Sequence, residues 1–272
     1  MDFVDLFCGM GTIRMGFEQA GHTCVYSVEW DKHKRRIYEV IFGHEPEGMD
    51  IRELRASDVP IADCWCFGAP CQDFSIAGYR AGLDGDRSSL VREVFRLIRE
   101  TDERHRPKYL LYENVKGMFS SNGGWDYLGI LLEMDELGYN LEWKMFNTAD
   151  FVVPQNRERV FTVGHLRGHS NRKIFDYKCG ERKANEFEFQ ERFRADIKPV
   201  FTISMSESTR RSIASGLYIR DLTPREYMRL QGVPDYITDK LIAAGISDTQ
   251  LYRAAGDACT VNVIYEIARR LS

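Results

Sequence analysis

No stretch of the 272 residues is apolar for the length of a membrane span, and no leader-like pattern opens the chain; neither a membrane protein nor a secretory precursor is expected. Paired cysteines are missing as well. The seven that occur, at positions 8, 24, 64, 66, 71, 179 and 259, are odd in number and lack framework spacing, which argues against a disulfide-stapled module and suits a reducing compartment. Cys64 and Cys66 form a lone C-x-C without a nearby histidine or second pair, so alternate residues of a buried strand explain them better than zinc, and no metal site is expected. Internal repeats and low-complexity tracts are also lacking. So is an excess of positive charge: 37 Lys and Arg stand against 41 Asp and Glu, a net −4. The distribution says more than the total. Residues 1–154 carry 17 basic against 26 acidic side chains, whereas residues 155–200 carry 11 against 7. A polyanion would be met by that middle segment, through phosphate contacts; a solvated basic surface is the alternative.

What is present reads as an α/β chain. The run from Asp2 to Cys8 is strand-like and starts almost at the initiator Met, so no regulatory segment is expected ahead of the domain. Buried strands are predicted at 23–30, 63–68 and 108–114, with helices near 32–42 and 88–105 between them. In the second helix Val91, Val94, Phe95 and Ile98 share one face while Arg92, Arg96 and Arg99 share the other. This rhythm predicts an open, mainly parallel sheet with helices on both sides, and a ligand crevice beyond the carboxyl ends of its strands. From His165 to about Gly216 the rhythm is lost in polar and aromatic sequence such as RKANEFEFQERF, which reads as a small inserted domain or long loops. Leu222 to Ser272 turns helical again, with Thr223-Pro224-Arg225-Glu226 as a helix start. The expected organisation is a catalytic domain at 1–166, a small recognition region at 167–217, and C-terminal helices at 218–272 that return to the catalytic domain.

Candidate chemistry gathers at the predicted strand ends. DLFCGMG (5–11) places a G-x-G turn directly after the first strand, where glycine lets backbone approach a ligand closely. The third glycine of a dinucleotide fingerprint would fall at Arg14, which weighs against a nicotinamide oxidoreductase. Glu29 ends the second strand and is placed to accept hydrogen bonds from ribose hydroxyls; Trp30 beside it offers a face for an adenine. Any nucleoside ligand would suit these features. Gly68-Ala69-Pro70-Cys71-Gln72 follows the third strand. Cys71 there is either a nucleophile presented by a stiffened turn or an inert buried thiol. Glu113-Asn114-Val115 ends the next strand, so a carboxyl would face that thiol, and no sequence neighbour of Glu113 supplies a cation. Gln155-x-Arg157-x-Arg159 precedes the apolar run VFTVG, and alternation would put both arginines on one face.

Taken together and in this order, these segments resemble the cytosine-5 DNA methyltransferases of prokaryotic or phage type, over nearly the whole chain except about 167–217. The resemblance implies a Rossmann-like fold with a small inserted target-recognition domain. It implies S-adenosyl-L-methionine as donor, in a pocket of Phe7, Gly9, Gly11, Glu29, Trp30, Asp50, Ile51, Pro70, Leu90, Asp257 and Ala258. GAPCQDFS (68–75) is similar to the family's nucleophile motif, with Cys71 as nucleophile, and ENV (113–115), QNRER (155–159), RDLTPREYMRLQGVPD (220–235) and GDACTVNVI (256–264) match later motifs.

In the chemistry so implied, a Cys71 thiolate adds to carbon 6 of a flipped cytosine and makes carbon 5 nucleophilic. Glu113 holds the exocyclic amine and assists protonation at ring nitrogen 3, while Arg159, with Arg157, engages the carbonyl oxygen. Residues 72–90, with glycines at 78, 82 and 85, are expected to close over the base, Gln72 and Ser75 to touch DNA, and Arg210 and Arg211 to contact bases or phosphate. A duplex-DNA substrate, a possible cognate restriction endonuclease, a monomer and a cytoplasmic setting in a bacterial cell or phage-infected host complete the picture. Three departures stand out: Asp257 and Ala258 replace the usual Asn and Ser, Ala77 replaces a common Ser, and the recognition region spans only about fifty residues. For Asp257 two roles are open, a carboxylate near the donor's sulfonium or a cap on the following helix. A transfer-RNA cytosine methyltransferase is the nearest rival; Ala69 before Pro70 and the absence of a Cys-Phe-Thr motif oppose it. A catalytically silent DNA-binding relative is opposed by Cys71, Glu113 and Arg159.

Overall fold

The computed structural model describes residues 1–69, 90–169, 172–175, 200–201, 212–215 and 218–271. The first half alternates as its sequence predicts: β1 (Asp2–Leu6), α1 (Thr12–Gln19), β2 (Thr23–Val28), α2 (Lys32–Phe42), β3 (Cys64–Phe67), α3 (Leu90–Glu100), β4 (Tyr109–Val115) and α4 (Trp125–Glu136). Three strands come next, β5 (Tyr139–Asn147), β6 (Gln155–Asn156) and β7 (Glu158–Leu166), and then the short β8 (Val200–Phe201), β9 (Ser212–Ser215) and β10 (Tyr218–Asp221). Four helices close the chain: α5 (Pro224–Arg229), α6 (Asp235–Ala243), α7 (Asp248–Asp257) and α8 (Val261–Leu271).

Six strands form one sheet in the order β2-β1-β3-β4-β7-β5. β2, β1, β3 and β4 are parallel, and β7 runs antiparallel to both β4 and β5. The order turns back on itself at β1, with β2 on one side and β3 on the other, so the loops after β1 and β3 diverge there and leave a crevice. β5 and α4 went unread in the sequence because Tyr139–Asn147 interleaves Glu142 and Lys144 with its apolar residues, and α4 has apolar residues nearly all round.

Both sheet faces are covered. Val4, Leu6, Trp65, Phe67, Leu110 and Tyr112 point to the side packed by α3 and α4. Phe3, Cys64, Cys66, Leu111, Phe161 and Val163 point to the other, packed by α1 and α8; Cys64 and Cys66 are thus strand-core residues. A third cluster joins α5, α6 and α7 to Met10 and Ile37. α5 starts as its sequence predicts, with Thr223 Oγ1 accepting from the Glu226 N–H and Glu226 Oε2 accepting from the Thr223 N–H.

Arg14 is better explained by packing than by any ligand. Its guanidinium lies 4.1 Å over the Phe42 ring, donates to Tyr38 Oη and pairs with Glu18, tying α1 to α2. α1 and α8 pack closely: a Cβ added at Gly16 would lie 2.6 Å from Ile264 Cγ2 and 2.9 Å from the Tyr265 backbone nitrogen. Gly16→Ala must therefore push the two helices apart, and urea unfolding is expected to show a loss of about 1–3 kcal/mol. An unchanged midpoint would mean that α8 is free to shift.

Candidate active site

Every strand that faces the crevice ends in a residue with chemistry. After β1 the chain turns through Phe7 at φ +64° and Gly9 at φ +58°. Among the described residues, nothing lies within 4 Å of where a Gly9 Cβ would stand. Gly11 has a different reason to be glycine: at φ +83° its Cβ would fall 2.3 Å from Phe42. Glu29, at the end of β2, is buried and accepts from the Gly9 N–H at 2.9 Å and the Asp31 N–H at 2.8 Å. Burial pushes its carboxyl up, against the pull of Lys34 and those two N–H groups. Trp30 beside it is 62% exposed, a free aromatic face. The Asp50 carboxylate is held by Arg52, whose hydrogen bonds lower its pKa, and Ile51 is buried with its carbonyl accepting from Arg96 at 3.2 Å. Leu90 opens α3, half-buried against the core.

The donor set fits an adenosyl ligand. It combines a backbone turn, a buried carboxylate one residue before an exposed indole, and a further carboxylate on the next loop. Asp5, in β1 just before this turn, is a buried carboxyl that burial raises well above its ordinary range against the pull of Arg14.

At the other side of the crevice, Gly68 ends β3 next to Glu113 in β4; their predecessors Phe67 and Tyr112 are paired in register. A Cβ on Gly68 would come within 3.2 Å of Glu113 Oε2, so glycine there leaves room for the carboxylate. Arg159 Nε lies 3.2 Å from Glu113 Oε1. The missing cation for Glu113 thus comes from across the sheet: β7 is antiparallel, and Arg159 pairs with Val115 at the end of β4. Asn114 steadies this strand end, donating to Tyr112 Oη and accepting from the Val115 N–H.

The two arginines meet different partners. Arg157 lies in the break between β6 and β7, is buried, and donates to the carbonyls of Gly256 at 3.1 Å and Ala258 at 2.9 Å. It holds the turn that carries Asp257 and Ala258. Asp257 is the last residue of α7, and α8 begins only at Val261, so it does not cap the following helix. Nor is it a lone carboxylate: Asp257 Oδ2 lies 2.7 Å from Lys34 Nζ. Burial by itself would lower the Lys34 ammonium, yet Asp257, Glu29 and Asp31 hold it above its ordinary value. Lys34 was overlooked; its signal was a lysine in the first turn of a helix, where the dipole disfavours cations unless acids surround them. Cys259 was overlooked too, a buried thiol near Glu113, Arg157 and Arg159 that burial raises well above the usual range. Pro70, Cys71, Gln72, Ser75, Ala77, Arg210 and Arg211 lie outside the described residues.

The C-5 cytosine-specific DNA methylase family model matches residues 1–216 and 182–272. Similar proteins include the type II methyltransferase M.DsaV of Dactylococcopsis salina, 33% identical with 100% of this chain and 86% of the relative covered. M.NgoBI of Neisseria gonorrhoeae is also 33% identical, with 98% of this chain and 92% of the relative covered. In fold the chain is similar to the Dnmt2 methyltransferase of S. pombe, with a TM-score of 0.75 at 18% identity, covering 100% of this chain and 98% of that one.

Proposed function

The chain belongs to the C-5 cytosine-specific DNA methylase family and is a DNA cytosine-5 methyltransferase, and from that premise we propose how its own residues divide the reaction. The observation that carries the assignment is the Glu113–Arg159 pair facing Gly68, three residues before Cys71. Cys71 supplies the thiolate that adds to carbon 6 of the flipped cytosine. Glu113 holds the exocyclic amine and the proton at ring nitrogen 3. Arg159 faces the carbonyl oxygen and is paired with Glu113 before the base arrives. Arg157 is a positioning residue that fixes the Gly256–Ala258 turn.

S-adenosyl-L-methionine supplies an electrophilic methyl group when bound. Glu29 and Trp30 would hold its ribose and adenine, Asp50 and Ile51 the adenine edge, and the Phe7–Gly11 turn its amino-acid end, with Pro70, Leu90 and Ala258 completing the pocket. Residues 1–166 and 218–272 make up the catalytic domain in this reading, and 167–217 read duplex DNA, with Gln72, Ser75, Arg210 and Arg211 as DNA contacts. A monomer in the cytoplasm, with or without a cognate restriction endonuclease, suits this assignment; among the described residues no helix is long and apolar enough to cross a membrane. The test is methyl transfer from labelled donor to duplex DNA and to transfer RNA side by side, followed by bisulfite sequencing. A recurring short site in DNA is expected. Label in transfer RNA alone would overturn the reading.

The Lys34–Asp257 pair changes what is expected of the unusual acid. Asp257→Asn would leave Lys34 undercompensated at the rim of the donor pocket. Calorimetry should then show the donor losing affinity relative to its product, which lacks the sulfonium charge, by about two- to five-fold for a pair that is partly exposed. Lys34→Met in the same background should restore the ratio. A parallel loss for both ligands would mean that the pair acts only by tying α2 to α7.

A further inference from the structure

Because β7 is antiparallel to β4, it ends far from the chemistry: His165 pairs with Tyr109, the first residue of β4. The chain returns to the catalytic edge at β8, where Val200 and Phe201 pair with Gln155 and Asn156. Between these points, among the described residues, Ile174 and Phe175 are fixed to the catalytic domain by residues that the reaction does not use. Ile174 and Phe175 are both buried against the sheet. The Glu142 carboxylate, in mid β5, accepts from the Ile174 N–H at 2.7 Å and the Phe175 N–H at 2.9 Å. His165 Nε2 donates to the same carboxylate at 2.7 Å. On the carbonyl side, Arg270 Nη1 donates to Ile174 at 3.1 Å, and the Phe175 ring packs 5.4 Å from that of Phe146.

A carboxylate 8% exposed is an expensive group to place in a core. Burial alone would raise its pKa, but the donors from His165, Ile174 and Phe175 prevail and hold it below the usual range. An acceptor-only group with two oxygens is what three converging donors require; an amide of the same shape would turn an NH2 toward one of them. The segment held this way is the one that leads into 176–199.

We propose that Glu142 is a positioning residue for DNA recognition, clamping the Ile174–Phe175 peptide to the catalytic sheet and so setting where and in what direction the chain enters its recognition region. The proposal rests on the reading that 167–217 contact DNA. Among the described residues the hydrogen-bond partners of Glu142 are His165, Ile174 and Phe175, none of them in the crevice, so its loss should act on DNA and not on the donor.

The experiment uses the full chain and duplex DNA carrying the site that bisulfite sequencing identifies. Glu142→Gln is expected to raise KM for DNA by about tenfold, as when one partner of a charged hydrogen-bond set is lost, and to weaken discrimination against single-base variants of the site. The donor KM and kcat at saturating DNA should stay near wild type. Should Glu142→Gln fail to fold, Arg270→Ala removes the bond to the Ile174 carbonyl and should raise the same KM less. Unchanged DNA KM and discrimination in a folded variant overturn the proposal, as does an equal loss in donor KM and kcat. Exchanging residues 176–211 for those of a relative separates the two readings. If the exchange changes the methylated site while Glu142→Gln changes nothing, the clamp falls and the recognition region stands. If the exchange leaves the site unchanged, the recognition reading fails and takes the clamp with it.

Discussion

Cys71→Ala is expected to lower methyl transfer by on the order of 10⁴-fold or more, while donor affinity measured by calorimetry stays near wild type. Carbon 5 of cytosine becomes nucleophilic only once a thiolate has added to carbon 6, and the proposed donor pocket does not use the Cys71 side chain. Cys71→Ser should fare little better, because a serine hydroxyl ionises far less readily than a thiol. No other thiol among those shifted by their surroundings is suited to stand in. Burial drives Cys8, Cys66 and Cys259 well above the ordinary thiol range and pushes Cys24 up to about 12, so at neutral pH they remain protonated. DNA containing 5-fluorocytosine should trap a covalent adduct with the wild type and none with Cys71→Ala, since fluorine blocks the final elimination. Activity near wild type in Cys71→Ala would refute the mechanism.

Glu113→Gln should cost kcat about 10²–10⁴-fold with donor binding intact, the range typical for losing a positioned acid–base group. Glutamine keeps the shape and one acceptor oxygen, but it cannot hold the proton at ring nitrogen 3, and it leaves Arg159 without the carboxylate 3.2 Å from its Nε. The strand end itself should survive, because Asn114 secures it through Tyr112 and the Val115 N–H independently of Glu113. Melting temperature is therefore the control. A variant that melts like wild type and turns over like wild type would remove Glu113 from the chemistry and leave its pair with Arg159 as structure alone.

The reading of the sequence succeeded where a signal is local. The turn at Gly9, Glu29 at a strand end, the Thr223–Glu226 start of α5 and the apolar stripe of α3 each depend on neighbours a few residues away, so their geometry is written in their spacing. The sequence also resolved the family, because the order of its motifs follows the order of the strand ends. It could not say what Arg157, Asp257 and Glu142 meet. Alternation put Arg157 and Arg159 together, yet a break between β6 and β7 sends one to the Gly256–Ala258 turn and the other to Glu113. Asp257 meets a lysine 223 positions earlier in the chain, and Glu142 meets backbone 32 and 33 positions later. Such partners are chosen by the antiparallel insertion of β7 and by α7 and α8 folding back on the sheet. A charge buried by those events takes whichever donor the packing brings within 3 Å, and that choice is made by tertiary structure alone.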